Sequence, residues 1–322
     1  MKQLRVELAD RSYSICVQHG LLDRFGYLLP DASRVAVVTD ANVAPLFVER
    51  VKCSAARAGF LVGGAIIIRP GDENKNSSTL EKVYDGLFDF GLDRSSLIVA
   101  LGGGVVGDLA GYAAATFLRG IRYVQIPTTL LADVDSSVGG KTGINHSRGK
   151  NMIGAFHQPS AVFIDPAALR TLPVREISCG LAEVVKYGMI RDAKFFEWLE
   201  DHADAIRALE PHAIEYLILR CCEIKADVVA ADEREGGLRA ILNYGHTIGH
   251  ALEAATGFDR YRHGEAVAIG MHLAASIAAR MGMIPAELVE RQQRLLHRFG
   301  LPTRHDGVDA ARVLELMRSD KK

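Results

Sequence analysis

The stretch Leu97–Leu118 (LIVALGGGVVGDLAGYAAATFL) is apolar except for Asp108 and rich in glycine. Such a run is a candidate membrane helix, but a central aspartate costs roughly 2.5–3.5 kcal/mol there. A strand over Leu97–Leu101, a glycine turn and a helix accommodate the same residues without that cost. This reading extends to the whole first half. Arg34–Thr39 and Ala65–Ile68 read as buried strands, Val43–Arg57 and Leu80–Phe90 as helices, and Tyr123–Ile126 and Val162–Ile164 as further strands. Alternation of this kind predicts a parallel sheet with helices on its faces.

After about residue 167 helical spacing dominates: Ile177–Met189, Phe195–Leu199, Ile214–Ala231, Thr247–Ala255, Glu265–Met281 and Pro285–Phe299. Gly237–Leu242 reads as a short β element. The expectation is an α/β domain over 1–160 and a mostly α-helical one over 161–322, with a soft boundary near Pro159–Pro166. Hydrophobic residues at 48% and charged residues at 24% exclude disorder as the main state. The net charge of −1 gives no global reason to expect a nucleic-acid partner. The start, MKQLRVELADRSYSICV, alternates like a strand and carries charge throughout, unlike a signal peptide. The cysteines at 16, 53, 179, 221 and 222 are odd in number and form no CxxC pair, which fits buried thiols in a reducing cytoplasm.

Residues 102–107, Gly-Gly-Gly-Val-Val-Gly, satisfy G-x-G-x-x-G between a strand and a helix. Glycines there let a backbone approach a pyrophosphate at the helix N-terminus. The motif alone fits a tight turn with close helix packing equally well. Thr39-Asp40-Ala41-Asn42, at an earlier strand end, offers a carboxylate for a ribose. Ser136–Thr142 resembles a phosphate-binding Walker loop but carries Asp135 where that loop needs glycine, which argues against a P-loop kinase.

The second half holds a dense polar group. Glu183 and Lys186 share a helical face at i,i+3, and His246 and His250 lie at i,i+4. Two histidines one turn apart can chelate zinc. Spacing suggests His246, His250 and a carboxylate as ligands, but does not decide between His250 and His263. Thr247 stands where a metalloprotease H-E-x-x-H motif needs glutamate. Arg119, Lys141, Lys150, Lys225 and Arg239 recur in glycine-rich or apolar surroundings and suggest a small substrate with two anionic ends.

Long motifs make the chain similar to a known family. GGGVVGDLAGYAAATFLRG (102–120), PTTLLADVDSSVGGKTGINHSRGKNMIGAFHQP (127–159), LAEVVKYG (181–188), DEREGGLRAILNYGHTIGHALE (232–253) and HGEAVAIGM (263–271) resemble the 3-dehydroquinate synthases. The resemblance runs from about residue 34 to the end. It implies a cytoplasmic homodimer that uses NAD and Zn2+, with Co2+ as a substitute, and has its active site in the cleft between two domains. The implied reaction turns 3-deoxy-D-arabino-heptulosonate 7-phosphate into 3-dehydroquinate and phosphate, in the shikimate pathway to chorismate and the aromatic amino acids. NAD would be reduced and reoxidised within one turnover.

The resemblance also implies residue roles. Metal ligands fall on Glu183, His246 and His263, which leaves His250 to substrate binding or proton handling. Asp40 and Asn42 face the adenosine ribose, Gly103, Gly104 and Val105 the pyrophosphate, and Asp108, Thr128 and Thr129 the nicotinamide half. Lys75, Asp72, Thr171 and Leu172 also fall on cofactor positions, with Asp72 where the family usually has glutamate. Lys150 matches a position near both cofactor and substrate. Asp135, Lys141, Asn151, Lys186, Lys225, Arg239, Asn243 and His250 match the substrate pocket, and Arg119 a residue reaching the neighbouring subunit's phosphate site. Within that pocket, Lys186 and Asp135 are assigned to the hydroxyl being oxidised, Lys141, Asn151 and His250 to the phosphate, and Arg239 and Lys225 to the carboxylate. Family members continue beyond Asp320-Lys321-Lys322, and Lys321 matches a lysine that enters the site. The alternatives are a related sugar phosphate cyclase, a metal-dependent polyol dehydrogenase that releases NADH, and a catalytically inactive scaffold.

Overall fold

Most apolar runs of the first half become strands that are buried on both faces. A computed structural model describes residues 1–319, in two compact units: Met1–Thr171 with Lys225–Ala230, and Leu172–Ile224 with Ala231 onward. The strands are β1 (Lys2–Val6), β2 (Tyr13–Val17), β3 (Val35–Asp40), β4 (Val62–Ile68), β5 (Leu97–Gly102), β6 (Arg122–Pro127), β7 (Lys141–His146), β8 (Gly149–Phe156) and β9 (Ala161–Ile164). Seven of them form one sheet in the order β1-β2-β9-β6-β5-β3-β4, parallel except for β1 on β2. Between these strands run α1 (Ala44–Arg57), α2 (Ser77–Asp89) and α3 (Gly104–Thr116).

Successive residues of the central strands feed opposite faces of the sheet. Val35, Val37, Leu97 and Val99 pack with Phe47, Val48, Val51 and Ala55 of α1. Ala36, Val38, Ile98 and Ala100 pack with Leu80, Val83 and Leu87 of α2 and with Val106, Leu109 and Ala110 of α3. A strand covered on both faces needs an unbroken apolar run, which is why these read so clearly. Each large side chain fully buried there contributes roughly 1.5–3 kcal/mol.

The order of the strands creates a functional position. From β3 the chain crosses through α1 to β4 on one side, then returns through α2 to β5 on the other. The carboxyl ends of β3 and β5 therefore flank a topological switch point, where open α/β sheets bind ligands.

The remaining helices are α4 (Val174–Arg191), α5 (Ala193–Asp201), α6 (Ala203–Arg207), α7 (Pro211–Ala231), α8 (His246–Ala255), α9 (His263–Arg280), α10 (Ala286–Arg298) and α11 (Ala310–Ser319). Lys225–Ala230 of α7 count with the first unit, and the other residues of these helices with the second. In the second unit α9 packs against α4, α8 and α10, and α8 also meets α11, around Ala251, Leu252, Ile269 and Val313. No helix among the described residues is long and apolar enough to cross a membrane.

Some local readings change. Gly237–Leu242 is not a β element: Leu238–Asn243 forms a 3-10 helix, and the N–H groups of Gly237 and Arg239 go to the Asp232 carboxylate rather than to a strand. Ala65–Ile68 is a strand but not a buried one, because β4 lies at the sheet edge and Ile67 is 56% exposed. The β7–β8 hairpin was not expected, since its sequence mixes charged residues and glycine and most of β8 faces outward. β9 lies beyond residue 160 yet pairs within the sheet, so the first unit runs to Thr171.

Candidate active site

In the first unit the switch point gathers the glycine turn and the strand-end carboxylate. Asp40 Oδ1 accepts from the backbone N–H groups of Asn42 (2.8 Å) and Val43 (3.1 Å), shaping the turn after β3. Across the crevice Gly103 is the N-cap of α3, and no side chain caps that helix. Its first N–H groups therefore remain for an anion, and Val105 lies half-buried in the first turn. A side chain at Gly103 would meet Thr129 Cγ2 at 3.0 Å, and one at Gly104 would meet Ser136 Oγ at 3.0 Å. The bare backbone keeps this cradle open, and the hydroxyls of Thr128 and Ser136 are buried with no hydrogen-bond partner. These features fit a dinucleotide phosphate.

Beside this cradle the polar side chains are paired. Lys75, 4% exposed, donates to Asp108 Oδ2 at 2.8 Å and to Asn151 Oδ1 at 2.6 Å. Burial pushes the Asp108 carboxyl up, against the pull of Lys75. Asn151 holds a φ of 54° on β8, and its N–H donates to Asn145. Lys150 pairs with Asp72 at 3.1 Å. Lys225 donates to Asp135 Oδ1 at 2.7 Å and to the Asp135 carbonyl at 2.5 Å. Lys141 and Arg119 are exposed, and Leu118 and Arg119 both take positive φ, 50° and 70°. Such backbone costs of order 1–3 kcal/mol per residue and collects at functional positions. Thr171 donates to Ala168 at 2.9 Å, and Leu172, the next residue, is half-buried.

The second unit brings three helices to one carboxylate. α4 carries Glu183 and Lys186, which are 0% and 1% exposed and ion-paired. α8 supplies His246 and His250, and α9 begins at His263. Glu183 Oε1 lies 3.6 Å from His246 Nε2 and 3.8 Å from His263 Nε2. Donor atoms of Glu183, His246 and His263 all fall within 4.8 Å of one another. The two imidazoles are held from behind: His246 Nδ1 is 3.2 Å from the Tyr244 carbonyl, and His263 Nδ1 is 3.2 Å from Glu253 Oε2. A proton on each Nδ1 leaves both Nε2 lone pairs facing Glu183. Burial works against charge on His263, but Glu253 and then Glu183 outweigh it and raise the imidazole pKa.

The donor set fits a divalent metal. Both Glu183 oxygens are buried without a hydrogen bond, and two imidazole nitrogens converge on one of them. One carboxylate and two histidines leave room for substrate or water, as an open zinc site does. His250 stands beside this group, with its ring 5.4 Å from His246 and 6.0 Å from His263. Arg239 is 2% exposed and donates Nη1 to the Glu233 carbonyl at 2.5 Å. Asn243 ends the 3-10 helix just before His246. Lys321 lies outside the described residues.

Two residues at this site were not singled out from sequence. Glu253 follows His246 and His250 on one face of α8, a spacing that could have revealed it. Asp232 precedes Gly236-Gly237 and accepts the N–H groups of Gly236 (2.7 Å), Gly237 (2.8 Å) and Arg239 (2.9 Å). The Arg239 and Gly236 bonds hold its carboxyl below the usual range.

Residues 65–179 match the family described as 3-dehydroquinate synthase N-terminal, and residues 180–322 that described as 3-dehydroquinate synthase C-terminal. The 3-dehydroquinate synthase of Halorhodospira halophila (strain DSM 244 / SL1) is 52% identical over 324 residues, covering 100% of this chain and 90% of that protein. The solved structure of 2-deoxy-scyllo-inosose synthase complexed with carbaglucose-6-phosphate, NAD+ and Co2+ has a TM-score of 0.91 at 30% identity, covering 99% of this chain and 87% of that one. That of 2-epi-5-epi-valiolone synthase from Streptomyces hygroscopicus subsp. jinggangensis 5008, with NAD+ and Zn2+ bound, has a TM-score of 0.87 at 29% identity, covering 97% and 86%.

Proposed function

The chain belongs to the 3-dehydroquinate synthase family, and on that premise we propose how its residues serve the reaction. It is a lyase that converts 3-deoxy-D-arabino-heptulosonate 7-phosphate to 3-dehydroquinate and phosphate, using NAD and a divalent metal. When bound, the metal polarises the hydroxyl being oxidised, and NAD takes and returns a hydride at that carbon. The observation that best supports a metal here is the convergence of His246 Nε2 and His263 Nε2 on the buried Glu183 Oε1.

Zinc is the metal we assign, because one oxygen and two nitrogen donors with an open position suit it, and Co2+ would substitute. In the first unit, Asp40 and Asn42 hold the ribose, and the α3 N-terminus at Gly103, Gly104 and Val105 holds the pyrophosphate. Asp108, Thr128 and Thr129 orient the nicotinamide half, supported by Lys75, Asp72 and Lys150, with Thr171 and Leu172 completing the cofactor contacts. Lys141 and Asn151 hold the substrate phosphate and Lys225 its carboxylate, while Asp135, paired with Lys225 at 2.7 Å, serves the hydroxyl being oxidised. In the second unit, the Lys186 ammonium donates to the oxygen of the hydroxyl being oxidised, His250 binds the phosphate, Arg239 binds the carboxylate and Asn243 lines the pocket. Arg119 we assign, as the family resemblance implies, to the phosphate site of the neighbouring subunit in a cytoplasmic homodimer.

The test is phosphate release from the heptulosonate phosphate with NAD present, before and after chelation and zinc re-addition, with NADH absorbance followed in parallel. Release that is lost on chelation and restored by zinc, without NADH build-up, is the expected result. NADH accumulation would replace this reading with net dehydrogenation. Asp232→Ala should lower kcat/KM by roughly ten- to a hundredfold, mainly through KM, because it releases the loop that presents Arg239. Steady-state kinetics beside a thermal melt checks this. An unchanged KM would remove either the loop's role or that of Arg239.

A further inference from the structure

We propose that Glu253 is a positioning residue: its carboxylate holds the Nδ1–H of His263, so that Nε2 stays aimed at Glu183. This rests on the reading of Glu183, His246 and His263 as metal ligands. Glu253 is 5% exposed, so its charge needs a partner, and His263 Nδ1 lies 3.2 Å from its Oε2. The two histidines differ in how firmly they are held. The His246 side chain is 8% exposed and is steadied by a backbone carbonyl. The His263 side chain is 34% exposed and sits on the first residue of α9, where packing restrains the ring less. It is the ring that needs an outside anchor, and a carboxylate is a stronger one than a carbonyl. Negative charge behind an imidazole also makes the opposite nitrogen a better donor.

His250, Glu253 and His263 could themselves be taken for a second cation site, since their donor atoms also lie within 4.8 Å of one another. His263 belongs to both groups, with Nε2 towards Glu183 and Nδ1 towards Glu253. Serving both would strip the imidazole of its last ring proton. A hydrogen bond uses Nδ1 without that cost, so the geometry favours one metal and one anchor.

The experiment uses the full chain stripped of metal and titrated with Co2+ against a competing chelator, with the visible Co2+ spectrum recorded at saturation. The parent should bind one Co2+ per chain. Glu253→Ala should weaken binding about 10- to 100-fold. Glu253→Gln, whose amide oxygen still accepts from Nδ1–H, should lose less. The saturated spectrum should match the parent's in both variants, because the ligands are the same. In the apo protein, at a pH high enough to keep the imidazole neutral, nitrogen NMR of the His263 ring should show the Nδ1–H form in the parent and a mixture in Glu253→Ala. Equal affinity in parent and both variants, with intact melts, would overturn the proposal. So would two Co2+ per parent chain, or a changed saturated spectrum, either of which would make Glu253 a ligand. Failure of the underlying reading shows separately: the parent would bind no Co2+, or binding would survive Glu183→Ala.

Discussion

Glu183→Gln should lower kcat/KM by about a thousandfold and leave the protein short of metal at concentrations that load the parent. A metal contributes several kcal/mol to stabilising developing charge, and each 1.36 kcal/mol is a factor of ten. The amide keeps the volume of the side chain but loses the charge that faces the two imidazoles. It also leaves the Lys186 ammonium, 1% exposed, without its countercharge. Breaking a buried pair on one side costs about 3–5 kcal/mol. The single variant should therefore melt lower as well as lose metal. Glu183→Gln with Lys186→Met separates the two effects, because removing both charges relieves the desolvation cost. The double variant should recover most of the melting temperature and none of the metal binding or activity. A single variant that retains stoichiometric metal and near-parent kcat/KM would move the metal centre away from Glu183.

The sheet was readable because each central strand carries its own signal. Val35–Asp40 and Leu97–Gly102 are covered on both faces, so local composition and tertiary burial agree. The β7–β8 hairpin carries no such signal: β8 is mostly exposed, and its place beside α3 is set by contacts distant in sequence. The cluster around Glu183 shows the same limit. His246 and His250 share one helix and invite a pairing by spacing alone. The ring nitrogens that share the Glu183 carboxylate come instead from His246 and from His263, at the start of a different helix. Periodicity describes a face within one helix, and it is silent on which helix ends meet. Family resemblance supplied that choice. The pairing of Lys75 with both Asp108 and Asn151 likewise joins three elements that no local pattern connects.

What seats the start of α9 on α4 is a glycine, and its replacement is the second large effect expected. Gly264 follows His263 and lies against the backbone of Cys179, one turn before Glu183 on α4. A β-carbon there would sit within 3.0 Å of three Cys179 backbone atoms, closer than real side chains come. Main chain cannot swing aside as a flexible side chain can, so Gly264→Ala must separate α9 from α4. Overpacking of this kind costs typically 1–3 kcal/mol, or several degrees of melting temperature for a chain of this size. The displacement acts next to the 3.8 Å gap between His263 Nε2 and Glu183 Oε1, so metal affinity should fall with stability. Gly264→Val, with more bulk at the same contact, should be worse on both counts. Melting with and without added zinc separates the two effects. The parent should gain stability from zinc by mass action, and Gly264→Ala should gain markedly less at the same concentration. A variant that melts lower but keeps the full zinc-induced shift would show that α4 and α9 can part at Cys179 without moving His263, and the helix contact would then matter for folding alone.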